Sequence, residues 1–147
     1  MKKYIIGLML AAIVVLLAAW SKPIIENIRF EKPVSKSVSF AVYKTASYAS
    51  KIYSDASAKL EVTIVKVSGN ERSIVWRKNY NARLLNQYPN LADAMSQKVV
   101  INNVDDKHDK LEVIYTLIYS SNGSSVQLQD GTVITKGMSE GKLFINI

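Results

Sequence analysis

The chain contains no cysteine among its 147 residues. This absence excludes disulfide bonds, thiolate metal sites, thiol catalysis and lipid attachment to a cysteine. An exported domain of this size would therefore be held together by its apolar core alone, which about 125 residues can provide. Hydrophobic residues make up 48% and charged residues 21% of the chain, values that are typical of a globular protein rather than a disordered one.

Histidine occurs only once, as His108. A serine hydrolase needs an imidazole base beside its nucleophile, and the chain also has no Gly-x-Ser-x-Gly motif. The run from Asp105 to Asp109 holds three carboxylates around the histidine. It lacks the glycine and the distal glutamate of a calcium loop, and Lys107 and Lys110 would repel a cation. We interpret this run as a solvated turn, and we expect no metal, no cofactor and no enzymatic activity.

The N-terminus begins with two lysines and continues from Tyr4 to Trp20 without a charge or a proline. This order is typical of a secretory signal, and the run is also nearly long enough to span a membrane. Small residues before Trp20 and before Lys22 permit cleavage, whereas Trp20 suits the interfacial end of a membrane helix. We expect residues 1–21 to be a signal peptide or a membrane anchor. The domain would then be periplasmic or extracellular, and residues 4–20, if retained, would anchor it to the inner membrane.

The net charge of +7 is unevenly distributed. From Lys22 to Lys98 there are 13 lysines and arginines against 6 acidic residues, whereas residues 99–147 hold 4 against 6. The positive charge after the leader would by itself favour a cytoplasmic domain, but the short N-terminal tail and the signal-like pattern favour export. A basic half also suits an anionic ligand. Candidate contacts for that ligand are Arg72, Arg77, Lys78 and Arg83, and a soluble surface that is simply basic is the alternative.

Alternating apolar and polar residues predict short β-strands through the first half of the domain. Residues 22–37 contain two prolines, which predict a linker or edge segment, and the alternation begins at Val38. The Gly69-Asn70 pair between two alternating runs predicts a β-hairpin, with Ile74 and Trp76 on one face and Trp76 in the core. Residues 43–57 predict an irregular segment. Residues 81–97 predict one or two short helical turns that cross between sheets, the second capped by Asn90.

The second half of the domain is richer in strand signals. Residues 99–104 predict a short strand, and residues 111–119 predict the strongest strand of the chain, with both faces covered. Asn122-Gly123 and Asp130-Gly131 each predict a tight turn, which would leave a short strand around Val126 and Leu128. Residues 143–147 predict a terminal strand.

Seven or eight such strands predict an all-β antiparallel sandwich of immunoglobulin-like or transthyretin-like type over residues 38–147. We expect a non-enzymatic cell-envelope or secreted module that binds another protein, because sandwich edges offer unpaired backbone groups to a partner strand. The candidate edge is the C-terminal strand with Leu143, Phe144 and Ile145, and an internal core strand is the alternative. A second hypothesis is binding of a lipid headgroup or polysaccharide through the basic half. Nucleic acid is not an expected partner, because Trp76 would be buried rather than free to stack on bases.

Cell fractionation combined with intact-mass measurement tests the prediction for the leader. A full-length mass in the membrane fraction would identify an anchor, and a mass lacking about 19–21 residues in the soluble envelope fraction would identify a cleaved signal. Full-length protein in the cytosol would contradict export.

Overall fold

The computed structural model describes residues 32–45 and 54–147. The predicted signal or anchor over residues 1–21 lies outside the described residues, as do residues 22–31 of the predicted linker or edge segment and residues 46–53 of the predicted irregular segment. No helix in the described ranges is long and apolar enough to cross a membrane. The elements in chain order are β1 (Val34–Tyr43), β2 (Ser57–Ser68), β3 (Glu71–Leu84), 3-10 turns at Leu85–Gln87 and Leu91–Asp93, β4 (Met95–Val104), β5 (Asp109–Ser121), β6 (Ser124–Ile134) and β7 (Glu140–Asn146).

The strands form two sheets. One sheet has three strands in the order β4-β1-β7, and the other has four in the order β3-β2-β5-β6. The structure thus confirms an all-β architecture of two sheets. The expectation of a wholly antiparallel sandwich is wrong, because β1 and β7 are parallel. Parallel neighbours need a long crossover connection, and here the five intervening strands supply it.

The core lies between the two sheets and follows the two-residue period of the strands. In β1 the even-numbered residues from Lys36 to Val42 point inward, and in β2 the even-numbered residues from Ala58 to Ile64 do so. The buried cluster that these strands share comprises Val38, Phe40, Val42, Ala58, Leu60, Val62, Ile64, Leu85, Tyr88, Val99, Ile101, Val104, Leu111, Val113, Leu117, Ile134, Ile145 and Ile147.

Strand β1 begins earlier and lies deeper in the fold than the sequence pattern indicates. It starts at Val34, four residues before the alternation at Val38, and it is the central strand of its sheet rather than an edge segment. Pro33 directly precedes the strand, so its missing N–H removes no hydrogen bond from the ladder.

The predicted hairpin of β2 and β3 is confirmed, with Gly69 and Asn70 as its two-residue turn. The prediction that Ile74 and Trp76 share a face is wrong. A register shift inserts one extra residue, Val75, so that Trp76 pairs with Ile64 but Ile74 pairs with Val65. Ile74 therefore lies on the outer face and is 54% exposed.

Trp76 lies at the margin of the core rather than at its centre. Its ring packs against Phe40 of the facing sheet with the ring centroids 5.9 Å apart and the planes tilted by 54°. The indole is partly buried, because β3 is the edge strand of its sheet.

Two 3-10 turns carry the chain from β3 in one sheet to β4 in the other, as predicted, but the helical stretch is shorter than residues 81–97. Residues 81–84 still belong to β3, and residues 95–97 already belong to β4. Between them Tyr88 is buried and donates a 2.8 Å hydrogen bond from its hydroxyl to the carbonyl of Ala58. Burial raises the pKa of this phenol, an effect that Arg83 partly offsets. Asn90 precedes the second turn, but its side chain makes no capping hydrogen bond. The Asn90 carbonyl accepts the first hydrogen bond of the 3-10 turn, from Asp93 N–H.

The β5–β6 hairpin contains one predicted turn and lacks another. Asn122 and Gly123 have φ angles of 50° and 78°, the left-handed geometry of a type I′ turn. Asp130 and Gly131 do not turn but continue β6, which is one strand of 11 residues. A Cβ at position 131 would stand 2.1 Å from the backbone carbonyl oxygen of Val113. Glycine is therefore needed at position 131 for a close approach of two strands and not for a turn.

Replacement of Gly131 by alanine should lower the free energy of unfolding by roughly 1–3 kcal/mol, because the new methyl group would push the β6 backbone away from β5. Gln129→Ala, on an exposed residue of the same strand, should change it by no more than about 0.5 kcal/mol. Urea unfolding of both variants measures the difference, and equal stabilities would refute the steric explanation.

Candidate functional site

The candidate contact strand β7 lies at the edge of the three-stranded sheet, and among the described strands it pairs only with β1. Ser37 N–H donates to the Ser139 carbonyl, and Ile147 N–H donates to the Tyr43 carbonyl, at 2.9 and 2.8 Å. Between these two bonds, β1 and β7 pair residue by residue without a register shift. Because successive residues of a strand direct their backbone groups to alternate sides, the N–H and C=O groups of even-numbered residues such as Lys142 point away from β1.

The three predicted contact residues of β7 have different surroundings. Ile145 is fully buried and Leu143 is half-buried, because both face the opposite sheet. Phe144 faces outward and is 63% exposed. Among the described strands β7 is an edge strand by its pairing, while Ile145 belongs to the core. Phe144 is thus an exposed aromatic side chain on a strand whose outer backbone edge is open within the described structure.

Beside β7, part of the opposite sheet is left uncovered. Strand β7 passes close to β6 at one end, where a Cβ on Gly141 would meet the Ile134 side chain at 2.4 Å. Toward the other end of β6, Val126 and Leu128 share the inward-facing parity of Ile134 yet are 61% and 54% exposed. Among the described strands, β7 therefore contacts β6 at Ile134, and the exposed apolar residues of β6 lie farther along the same face.

The outer face of the three-stranded sheet carries a shallow groove of about 240 Å³ next to the same edge. Its floor is made of small side chains from β1 and β4, and Lys98, Lys142 and Phe144 line it. Glu140 accepts a 2.9 Å hydrogen bond from the Ser39 hydroxyl and lies 3.7 Å from the Lys98 amine. These contacts, led by the Ser39 hydrogen bond, lower the pKa of the Glu140 carboxyl. Lys142 has no carboxylate within ion-pair distance in the described structure.

The four candidate contacts for an anionic ligand all lie on β3, but the structure does not bring them to one face. Arg72 and Arg77 lie on the outer face and contact the carboxylates of Glu112 and Glu61. Lys78 and Arg83 lie on the inner face, opposite Val62 and Ala58 of β2. The Lys78 amine donates to the Gln97 side chain at 2.8 Å and lies 4.8 Å from the centre of the Tyr80 ring, and Arg83 contacts the Met95 sulfur.

An ion pair between the buried Lys36 and the half-buried Asp106 closes one end of the sandwich. Lys36 is 1% exposed, and its amine lies 2.6 Å from the Asp106 carboxylate and 2.7 Å from the Thr135 carbonyl, to which it donates. Asp106 also accepts a hydrogen bond from Gly137 N–H at 3.0 Å. The hydrogen bonds from Lys36 and Gly137 lower the pKa of the Asp106 carboxyl. The pair thereby joins β1, the β4–β5 turn and the β6–β7 connection.

The burial of Lys36 differs from the linker that the prolines of residues 22–37 predict. The signal for its burial is its position two residues before Val38 and four before Phe40, in the same two-residue period.

The acidic turn after β4 is organised by its own hydrogen bonds. Asp105 accepts from Lys107 N–H at 2.9 Å and lies 2.9 Å from the His108 ring nitrogen. The His108 contact contributes most to lowering the pKa of Asp105. Asp109 accepts from Asp105 N–H and lies 3.7 Å from the Lys66 amine. Within the described ranges, no three His, Cys, Asp or Glu side chains are grouped as a metal site would require.

Comparison of the chain with protein-family models, with curated proteins and with solved structures found no match.

Asp106→Ala should destabilise the fold more than Lys36→Met, because it leaves an ammonium group buried without its anion, whereas Lys36→Met removes the buried charge. Adding Lys36→Met to Asp106→Ala should recover stability.

The lowered pKa of Asp106 stabilises the fold at pH values above the unfolded-state pKa of about 4, and this contribution is lost as the pH falls through the folded-state pKa.

The stability difference between the wild type and Asp106→Ala should therefore shrink below about pH 4. Urea unfolding of the three variants between about pH 2 and 7 measures it. A difference that stayed constant across this range would show that the charge of Asp106 is not what stabilises this end of the sandwich.

Proposed function

We propose that the chain is a non-enzymatic β-sandwich module of the cell envelope, or a secreted one, that acts by binding another protein through the edge of β7. The observation that carries this proposal is the combination of outward-pointing backbone groups at Lys142 and Phe144 with the exposed Phe144 ring. An extended partner segment can hydrogen-bond to such an edge, and an exposed aromatic side chain at its centre is a favourable anchor.

Binding at an edge also suits the shape of the described surface. The depressions beside β7 and β6 are shallow, with volumes of about 240 and 310 Å³. Sites for small molecules are usually deeper clefts that enclose most of the ligand. A flat, strand-bordered surface is better matched to a polypeptide.

Binding of an anionic envelope component through β3 receives less support. Arg72 and Arg77 already contact carboxylates, so an anionic ligand would have to compete with Glu112 and Glu61. The hydrogen bonds from Lys110 and Arg72 also lower the pKa of Glu112, which keeps this competing carboxylate charged.

An exported location agrees with the signal-like N-terminus, and it forms part of the proposal. The finer assignment of the sandwich to the immunoglobulin-like or transthyretin-like type is likewise proposed. Its support is the count of seven strands in two sheets.

Site-specific photo-crosslinking in cells tests the β7 edge. A photoreactive phenylalanine analogue at position 144 should yield a defined adduct, whereas the same analogue at position 74, an exposed residue of β3, should not. Introducing Lys142→Pro as well should abolish the adduct, because proline removes an outward N–H while leaving the bonds between β1 and β7 intact.

The control for Lys142→Pro is its unfolding curve, which should match that of Lys142→Ala. Adducts of equal yield from positions 144 and 74, or an adduct insensitive to the proline, would refute recognition at this edge.

A further inference from the structure

We infer that the partner contributes one extended strand beside β7, with apolar side chains on the face toward β6 and a carboxylate on the face of Lys142. This inference rests on the proposed binding at β7 and specifies the chemistry of the segment that binds there. It follows from a strand position that none of the described strands fills and from the charges around that position.

The unfilled position is on the β7 side of the three-stranded sheet. On the opposite side, β4 covers β3, since Gln97 of β4 accepts hydrogen bonds at 2.8 Å from both Lys78 and the Tyr80 hydroxyl. Nearer the centre, Phe40 of β1 packs on Trp76 of β3. The three strands of one sheet thus pack on the four strands of the other from the β3 side. The strand of the four-stranded sheet that they leave incompletely covered is β6.

The exposure of β6 follows this geometry. Ile134, near Gly141 of β7, is fully buried, while Leu128 and Val126 on the same face are more than half exposed. A strand hydrogen-bonded to the free side of β7 would lie over them. Side chains opposite Leu143 and Ile145 would point toward β6, so apolar residues at alternate positions of the partner would complete the core.

The intervening positions of the partner strand would share the outer face with Lys142 and Phe144. Glu140, two residues away on the same face, contacts Lys98 and is also attracted by the Lys142 charge, which helps to lower its pKa. No carboxylate of the described structure lies within ion-pair distance of Lys142. A carboxylate opposite or diagonal to Lys142 would therefore gain a partner, and a lysine or arginine there would be repelled. The charge of Lys142 therefore favours a partner segment in which apolar residues alternate with acidic ones over a segment in which they alternate with basic ones.

Two synthetic peptides probe this chemistry against the full-length chain in detergent micelles. The acidic peptide is Thr-Val-Glu-Val-Thr-Val-Glu-Val-Thr, and the matched basic peptide has lysine at both glutamate positions. Fluorescence anisotropy of labelled peptides should show the acidic peptide binding about fivefold more tightly than the basic one. Lys142→Glu should reverse this order.

Variants of the apolar surface provide the second readout. Leu128→Ser should weaken binding of the acidic peptide about tenfold. Ile74→Ser, which replaces a residue with the same 54% exposure on the far edge of the sheet, should leave it unchanged. Phe144→Pro should abolish binding, because it removes an outward N–H together with the aromatic ring.

The outcomes separate the partner chemistry from the proposed function. Three results would overturn the inference and leave edge binding intact. They are equal binding of the two peptides, no effect of Lys142→Glu, and failure of both peptides to bind while the cross-link at position 144 persists. Loss of both peptide binding and the cross-link would overturn the proposed function. A dimer in light scattering that Phe144→Pro dissociates would identify a second copy as the occupant, which also overturns the inference.

Discussion

The packing of a three-stranded sheet on a four-stranded one is the constraint on which the rest of the structure depends. Each sheet must bury its apolar face against the other, and three strands cannot cover four. On the β3 side the four-stranded sheet is covered, because β4 and β1 contact β3 through Gln97 and Phe40. The uncovered apolar surface is therefore concentrated at Val126 and Leu128 of β6. The candidate binding surface is a consequence of how the core is divided between the sheets.

The parallel pairing of β1 with β7 explains why this edge is available. The first and last described strands lie side by side, so the last strand ends its sheet with no later described strand to cover it. The end of the sandwich where β7 begins is fixed by the Lys36–Asp106 pair, which joins β1 to two connections between strands. Such an ion pair fixes the relative positions of the segments that it joins. Its net contribution to the free energy of folding is smaller, because desolvation offsets much of its attraction. The proposed site thus lies on a strand whose start is well positioned.

Local patterns in the sequence were reliable where the local chain itself decides the conformation. The Gly69-Asn70 and Asn122-Gly123 turns formed as their residue types require, and the two crossing turns of residues 81–97 formed around Pro89. The same rules failed at Asp130-Gly131, where the glycine serves a close approach to the Val113 carbonyl on a neighbouring strand. They also failed at Ile74, because one extra residue in β3 places Ile74 and Trp76 on opposite faces.

By itself the sequence determined the strand-rich architecture and the sharp hairpin turns, because two-residue periodicity and turn preferences act over a few neighbouring residues. It also supplied Phe144 as a residue of the candidate strand. Only the tertiary structure decided that β7 is an edge, that β1 is central and parallel to it, and that Lys36 is buried against Asp106. These features depend on which strands become neighbours across long stretches of chain, and strand order is fixed by packing of the whole core rather than by any local pattern.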